Sequence, residues 1–169
     1  MHTITSNRIR VFISSSMNEE LYLERRAAIK SFFDRDMKMF ECFLIERTAS
    51  PSDVRTRFSV KVRWSDVVVI ILANEAVRDA VKEEFQIAID NKKKIFVFIE
   101  SPRENEELLT YIDEFVKDNS VYCDYFNLET LINKIEESLL DDLAESYRDS
   151  ILSRAIKPKA NLENLEGNS

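Results

Sequence analysis

The sequence predicts a three-layer α/β fold, in which a parallel sheet of about five strands lies between helices in the flavodoxin-like order 2-1-3-4-5. Strand and helix signals alternate along the 169 residues, which is typical of a parallel sheet covered by helices. Residues 67–73 and 95–99 are apolar throughout, as expected of central strands that are buried on both faces. Five strand signals precede a long C-terminal helix, and this count favours the doubly wound order.

The elements are predicted in order from periodicity and helix-start signals. The predicted strands are residues 9–14, 37–45, 67–73, 95–99 and 121–126, and the predicted helices are residues 16–35, 50–64, 76–90, 104–117 and 128–156. Ser16 and Glu19 have the spacing of a capping box at the first helix start. Ser50, followed by a proline, marks the second. We therefore expect one domain over residues 8–156 and a disordered polar tail over residues 157–169.

Glycine is almost absent from the chain, since Gly167 is the only one. This excludes the glycine-rich phosphate loops of the Walker A, Rossmann and kinase types. Helix ends that need a left-handed residue must then use asparagine or aspartate. We expect this of Asn91, Asn119 and Asp36.

Charge and composition exclude several classes of function. A net charge of −7, from 24 basic and 31 acidic residues, disfavours a nucleic-acid binder. The single histidine, His2, argues against Ser/His catalysis and histidine metal sites, so we expect no metal and no cofactor. No signal peptide or membrane-spanning apolar run is visible, which predicts a cytoplasmic protein without membrane contact. Cys42 and Cys123 fall on the two predicted edge strands, too far apart for a disulfide.

One acidic residue lies where an apolar one is expected. At 100° per residue, Glu84 lies in the middle of the apolar arc of helix 76–90, and Glu83 lies at its edge. A carboxylate on a buried stripe is costly unless it is paired, and burial should raise its pKa. Glu84 is therefore either a functional group, or it extends its carboxylate to solvent or forms a structural ion pair, for example with Arg55.

A similar argument concerns the first strand and helix. Arg25 lies inside the apolar arc of the first helix; it could bind a phosphate or carboxylate, or pair internally with Glu24 or another acid. Ser14, Ser15 and Ser16 precede a helix N-terminus, where backbone amides favour anions. They either bind a ligand or only cap the helix.

A resemblance to a known family runs through the same residues. The sequence VFISSSM at 11–17, followed by Glu24 and Arg25, resembles the "VFISST…ER" opening of an uncharacterised TIR-like family. Ser50-Pro51, Ser65-Asp66, Glu83-Glu84-Phe85 with Ala88, and KIFVF at 94–98 continue it in order. That family is similar in fold to nucleoside 2-deoxyribosyltransferases and, more distantly, to TIR domains. Both use a glutamate four residues before a small residue on the helix after the third strand, the position of Glu84.

The resemblance implies a nucleoside or nucleotide ligand, with NAD among the candidates, and a reaction at the N-glycosidic bond. Glu84 would be the catalytic carboxylate. The substrate contacts would come from Ser14, Ser15, Ser16, Arg25 and Asp79. Where related proteins carry glycine-containing segments, this chain reads NEAV at 74–77 and RDAV at 78–81. The alternative is therefore a non-catalytic module for nucleotide sensing or protein interaction.

The last predicted helix carries an apolar stripe along its whole length. Its members are Leu128, Ile132, Ile135, Leu139, Leu143, Tyr147, Ile151 and Ala155. The first half fits the last helix of the fold. The second half, from residue 141, is longer than the fold needs, and we expect it to pair with a second copy as a homodimer.

Overall fold

The computed structural model describes residues 7–16, 19–44 and 59–163. The predicted helix start at Ser50, the suggested partner Arg55 and the capping contact between the side chains of Ser16 and Glu19 lie outside the described residues. The structure contains two compact units, residues 1–134 with the complete sheet and residues 135–169 with the C-terminal part of the last helix.

All five strands form one parallel sheet in the order β2-β1-β3-β4-β5, which confirms the predicted fold. The strands are β1 Ile9–Ser16, β2 Phe40–Leu44, β3 Val67–Leu72, β4 Lys94–Glu100 and β5 Val121–Tyr125. The helices are α1 Glu19–Asp36, α2 over residues 59–64, α3 Asp79–Asp90, α4 Glu106–Tyr111 with a π-helical turn at Ile112–Val116, α5 Lys117–Asn119 and α6 Leu128–Glu163. Cys42 in β2 and Cys123 in β5 lie on opposite edges, and neither forms a disulfide.

The core is built on the two central strands. All six residues of β3 and five consecutive residues of β4 are buried, because helices cover both faces of the sheet. On one face, alternate strand residues such as Ile70 pack with Phe85 of α3 and Leu108 of α4. At the β2 edge, Phe33 of α1 packs edge-to-face on Phe40, with ring centroids 6.4 Å apart. Because helices cover both faces of the sheet, the carboxyl ends of the strands are the part of the sheet that can form a ligand-binding site.

Two predicted starts are wrong by three residues. β2 begins at Phe40, not at residue 37, because the Met37 amide donates to Phe33 O (3.2 Å) and continues the end of α1. α3 begins at Asp79, not at residue 76. Arg78 has extended backbone with φ −68° and ψ 146°, and Val77 reaches the core from this non-helical segment.

The left-handed residue after α3 is Lys92, with φ 54°. The Lys93 amide donates to Ala88 O and the Lys92 amide to Ile89 O, both at 2.9 Å, which is the Schellman pattern. Asn91 is the C-cap, with φ −93°, and its side chain donates to Ile87 O at 2.8 Å.

In the described part of the chain, Lys92 is the one non-glycine residue with positive φ. The prediction that Asn91, Asn119 and Asp36 adopt the left-handed conformation is therefore wrong. Asn119 instead donates through its side chain to Phe115 O at 2.7 Å.

The C-terminal helix runs to Glu163, past its predicted end at residue 156. Disorder of the tail stays a prediction. None of the helices in the described ranges is long and apolar enough to cross a membrane. Within the same ranges, no three His, Cys, Asp or Glu side chains form a group that could hold a metal ion.

Candidate active site at the carboxyl end of the sheet

The candidate site lies where β1 and β3 end side by side. Ser14, Ser15 and Ser16 of β1 pair with Ile70, Ile71 and Leu72 of β3. After these strands the chain continues into α1 and α3 respectively. In this topology the two helices lie on opposite faces of the sheet, and doubly wound folds bind their ligands in the crevice outside the strand ends at this switch point. The side chains that reach this crevice are therefore the first candidates for ligand binding.

Glu84 occupies the middle of the buried stripe of α3, as the helical periodicity predicts. The other buried residues of this helix are Val81, Phe85 and Ala88. The Glu84 side chain is only 3% exposed, and its Oε2 atom has no hydrogen-bond partner in the described part of the chain. A carboxylate held in apolar surroundings without a partner is costly to the fold.

Burial sets the protonation of this carboxyl group. Burial is the main cause that raises the pKa of Glu84 from 4.5 to about 7; the negative charge of the neighbouring Glu83 contributes in the same direction, and the Ser14 hydroxyl acts in the opposite direction. Ser14 is completely buried. Its Oγ lies close enough to Glu84 to lower the pKa, yet no hydrogen bond of good geometry joins the two groups. A carboxyl group that exists in both protonation states near neutral pH suits acid–base or nucleophilic work.

Arg25 takes part in an internal ion pair, one of its two predicted interpretations, and the acid is Glu100 at the end of β4. Arg25 Nη2 lies 3.4 Å from Glu100 Oε1, and Nη1 donates to the Tyr125 hydroxyl at 3.3 Å. The guanidinium carbon lies 5.9 Å from the centre of the Tyr125 ring. Arg25 therefore links α1 to the ends of β4 and β5.

A second set of hydrogen bonds joins the loops that follow β3 and β4. The Asn74 amide donates to Glu100 Oε2 at 3.2 Å. In return, Asn74 Oδ1 accepts from the backbone amides of Glu104 (2.9 Å) and Asn105 (3.0 Å). The Tyr125 hydroxyl donates to Leu72 O at 3.4 Å. These contacts hold the rim of the crevice in one arrangement.

Several buried oxygen atoms have no hydrogen-bond partner within the described ranges. They are Ser14 Oγ, Ser15 Oγ, Glu75 Oε1, Glu84 Oε2 and Tyr111 Oη. The two serines and Glu75 come from the ends of β1 and β3, and Glu84 faces Ser14. An unsatisfied buried polar atom costs about 1–3 kcal/mol, and native proteins contain few. Ser14 Oγ and Glu84 Oε2 lie together on the α3 side of the sheet, whereas Ser15, the next residue of β1, points to the opposite face, and Tyr111 lies in α4 against Phe85 and Phe115. A polar ligand at the strand ends would supply a hydrogen-bond partner for the first two atoms.

The remaining predicted site residues are Asp79 and Ser16. Asp79 is exposed at the first residue of α3, and five helical positions put it about 140° around the axis from Glu84. The side chain of Ser16 lies outside the described residues.

Sequence reasoning missed Asn74, Glu75 and Glu100. The sequence does contain a signal for these three residues: polar residues that directly follow an apolar parallel strand lie at the carboxyl edge of the sheet.

Similar folds occur in solved structures of low sequence identity. A CMP N-glycosidase from Clostridium botulinum matches with a TM-score of 0.59 and 18% identity over 76% of this chain and 98% of its own. A conserved protein from Enterococcus faecalis V583 matches with a TM-score of 0.55 and 14% identity over 78% of this chain and 99% of its own. A 2-deoxyribosyltransferase from Bacillus psychrosaccharolyticus has a TM-score of 0.47 and 18% identity over 73% of this chain and 90% of its own. No model of a known protein family and no curated protein sequence matches the chain. Of these three solved structures, the two with TM-scores above 0.5 show that the fold is shared.

Proposed function

We propose that this domain binds a nucleoside or nucleotide in the crevice between β1 and β3 and acts on its N-glycosidic bond through Glu84. The observation that carries the proposal is the buried Glu84 carboxyl group, whose Oε2 has no partner in the described chain and which faces Ser14 at the switch point. The fold shared with a protein described as a CMP N-glycosidase supports the same class of reaction.

The carboxylate would act on the anomeric carbon of the sugar. As nucleophile, a Glu84 oxygen forms a bond to C1′ while the bond from C1′ to the base nitrogen breaks; the base leaves with the electron pair and takes up a proton. Water, or a second base, then attacks C1′ and releases Glu84. The alternative within this proposal is that the carboxylate stabilises the oxocarbenium-like C1′ without a covalent bond, while water attacks directly.

The remaining residues would bind and position the substrate. Ser14 and Ser15 have buried hydroxyl groups that a sugar or base could satisfy. Asp79 and Ser16 stay proposed contacts at the rim. Arg25 holds Glu100 and Tyr125, so we propose that it mainly fixes the rim, and that it reaches a substrate phosphate only if the pair with Glu100 opens.

Release of the base from purified protein tests the reaction. Deoxynucleosides, ribonucleosides, their 5′-monophosphates and NAD are incubated separately, and the free base or nicotinamide is quantified by chromatography. We expect one of these classes to react, and Glu84→Gln to lose at least about 100-fold in kcat/KM, as is usual for a residue that supplies this chemistry. Glu83→Gln is the matched control, because it removes the adjacent, exposed carboxylate. Equal traces of product from wild type and Glu84→Gln would contradict the proposal.

A non-catalytic module is the second candidate, and two features favour it. The segment from Asn74 to Asp79 contains no glycine that would let the backbone approach a phosphate closely. The C-terminal part of α6 exposes Tyr147, Ile151 and Leu152, a surface suited to pairing with a second copy. This candidate predicts that a nucleoside or nucleotide raises the melting temperature without turnover.

A further inference from the structure

The end of the sheet opposite to the candidate site carries concentrated positive charge. Strands β1 to β4 begin there, and the segments around these starts are residues 8–10, 38–40, 63–66 and 92–94, which we call the basic edge. The chain as a whole has a net charge of −7, yet these segments contain one acidic residue, Asp66. Their basic residues are Arg8, Arg10, Lys38, Arg63, Lys92, Lys93 and Lys94.

Strand order brings these four segments together. The Ile9 amide donates to Met39 O at 2.9 Å, and the Asp66 amide donates to Arg10 O at 2.8 Å, which joins the starts of β2, β1 and β3. The start of β4 lies beside that of β3. Since neighbouring strands are about 4.8 Å apart, the four strand starts span about 14 Å.

Two of the basic side chains hold the edge together. Lys93 Nζ donates to the carbonyl oxygens of Arg63 (2.8 Å) and Ser65 (2.6 Å), and so ties the end of α2 to the loop before β4. Arg10 Nε lies 3.5 Å from Asp66 Oδ2. These contacts use only part of the positive charge.

One unpaired cation remains on the segment of each of the four strands. The bordering acids lie elsewhere or are engaged: Asp36 pairs with Arg35 at 3.0 Å, Asp90 accepts from Gln86 at 2.8 Å, and Glu41 lies further along β2. Clustered like charges repel one another, so an anionic partner would relieve this repulsion. The four exposed side chains without an ion-pair partner in the described ranges are, in sheet order, Lys38, Arg8, Arg63 and Lys92.

An extended acidic peptide fits this row of cations. Alternate side chains of an extended chain lie on one side, about 6.8 Å apart. A peptide of about five residues therefore covers the four strand starts and presents about three carboxylates to them. Each exposed ion pair contributes about 0.2–1 kcal/mol, so the binding is weak and depends on salt.

Two side chains at the edge argue against other polyanions. The ring centroid of Trp64 already has the Arg10 guanidinium carbon at 5.2 Å and Lys61 Nζ at 4.8 Å, so the ring is no free platform for the stacking of nucleic-acid bases. Met39 is 62% exposed. A single apolar side chain offers little area for insertion into a lipid surface, but it suits contact with one apolar side chain of a peptide.

We infer that the basic edge binds an acidic, extended segment of a partner protein. The inference does not rest on the proposed reaction, because the basic edge lies at the amino ends of the strands and the candidate site at their carboxyl ends. A ligand and a protein partner can therefore be bound at the same time.

Fluorescence anisotropy of a labelled peptide measures this binding. The peptide has about ten residues, in which glutamate alternates with alanine around one central leucine. We expect saturable binding with a Kd below ~1 mM in about 50 mM NaCl, and a loss of at least ~5-fold in about 300 mM NaCl, because salt screens exposed charges. Trp64 is the only tryptophan of the chain, so its fluorescence should change over the same titration.

Reversal of two charges locates the binding surface. The double variant Arg8→Glu with Arg63→Glu should weaken binding at least ~10-fold. The matched control is Lys30→Glu with Arg148→Glu, which makes the same charge change at exposed positions of α1 and α6 and should weaken binding less than ~2-fold. Circular dichroism establishes that each variant is folded.

Four outcomes would overturn the inference. They are no saturable binding, which would assign the cations to the helix ends alone, equal binding of a peptide with lysine in place of glutamate, equal losses in the two double variants, and tighter binding of oligothymidylate or phosphatidylserine vesicles than of the acidic peptide. Base release is measured in parallel and should be the same in wild type and in Arg8→Glu with Arg63→Glu, so that the proposed function is tested separately.

Discussion

Replacing Glu84 by glutamine should stabilise the protein in a pH-dependent way. The carboxyl group is 3% exposed, and its pKa rises from 4.5 to about 7 because of burial. Between these two values the folded protein keeps a proton that the unfolded chain has lost. The folded state thus binds more protons, so the free energy of unfolding falls as the pH rises through this window.

The magnitude follows from the two pKa values. The stability is complete below pH 4.5, and moving the pKa to about 7 corresponds to a loss of about 3 kcal/mol above pH 7. Glutamine has nearly the same shape but does not ionise. We therefore expect Glu84→Gln to match wild type near pH 4 and to exceed it by up to about 3 kcal/mol at pH 8. In a protein of this size the melting temperature would rise by about 6–12 °C.

Urea unfolding at pH 4, 5.5, 7 and 8 measures this difference, with circular dichroism as the signal. Glu83→Gln is the control: that side chain is exposed, so the pH dependence due to Glu84 should persist. Parallel stability profiles for wild type and Glu84→Gln would refute the reasoning, because they would mean that the carboxyl group titrates normally in the fold. A variant that is more stable but inactive would show that the buried carboxyl group is kept for function at a cost in stability.

Three further predictions concern other parts of the chain. Lys92→Gly should raise the free energy of unfolding by about 1 kcal/mol, because glycine adopts the left-handed φ without strain. Asn91→Gly should lower the free energy of unfolding, because the side-chain hydrogen bond to Ile87 O is lost. Thermal melting that ranks the two variants the other way would contradict the Schellman assignment. Asn74→Ala should cost about 1–3 kcal/mol in urea unfolding, because two backbone amides lose their acceptor, and Asn74→Asp, which keeps the acceptor, should cost clearly less. If α6 pairs two copies, light scattering should give about twice the chain mass of 19.8 kDa, and Ile151→Asp should return the mass to that of the monomer. A monomer mass for the wild-type protein at every concentration would rule out the pairing.

The amino-acid sequence was sufficient for the features that depend on local periodicity. The apolar runs identified the central strands, and the 100° spacing placed Glu84 on the buried stripe of α3, where the structure has it. The strand count gave the order of the sheet, and with it the opposite edges for Cys42 and Cys123. Each of these follows from the repeat of a helix or a strand, which is written in neighbouring residues.

Only the tertiary structure decided which polar groups meet. Arg25 pairs with Glu100 across a separation of 75 residues, and Asn74 accepts hydrogen bonds from the backbone amides of Glu104 and Asn105, because strand order and register bring distant loops to one edge of the sheet. Lys92 adopts the left-handed conformation because the hydrogen bonds at the end of α3 require it at this position, whichever residue type stands there. Periodicity could show that a carboxylate was buried, but its partners depend on contacts between elements that no local pattern contains.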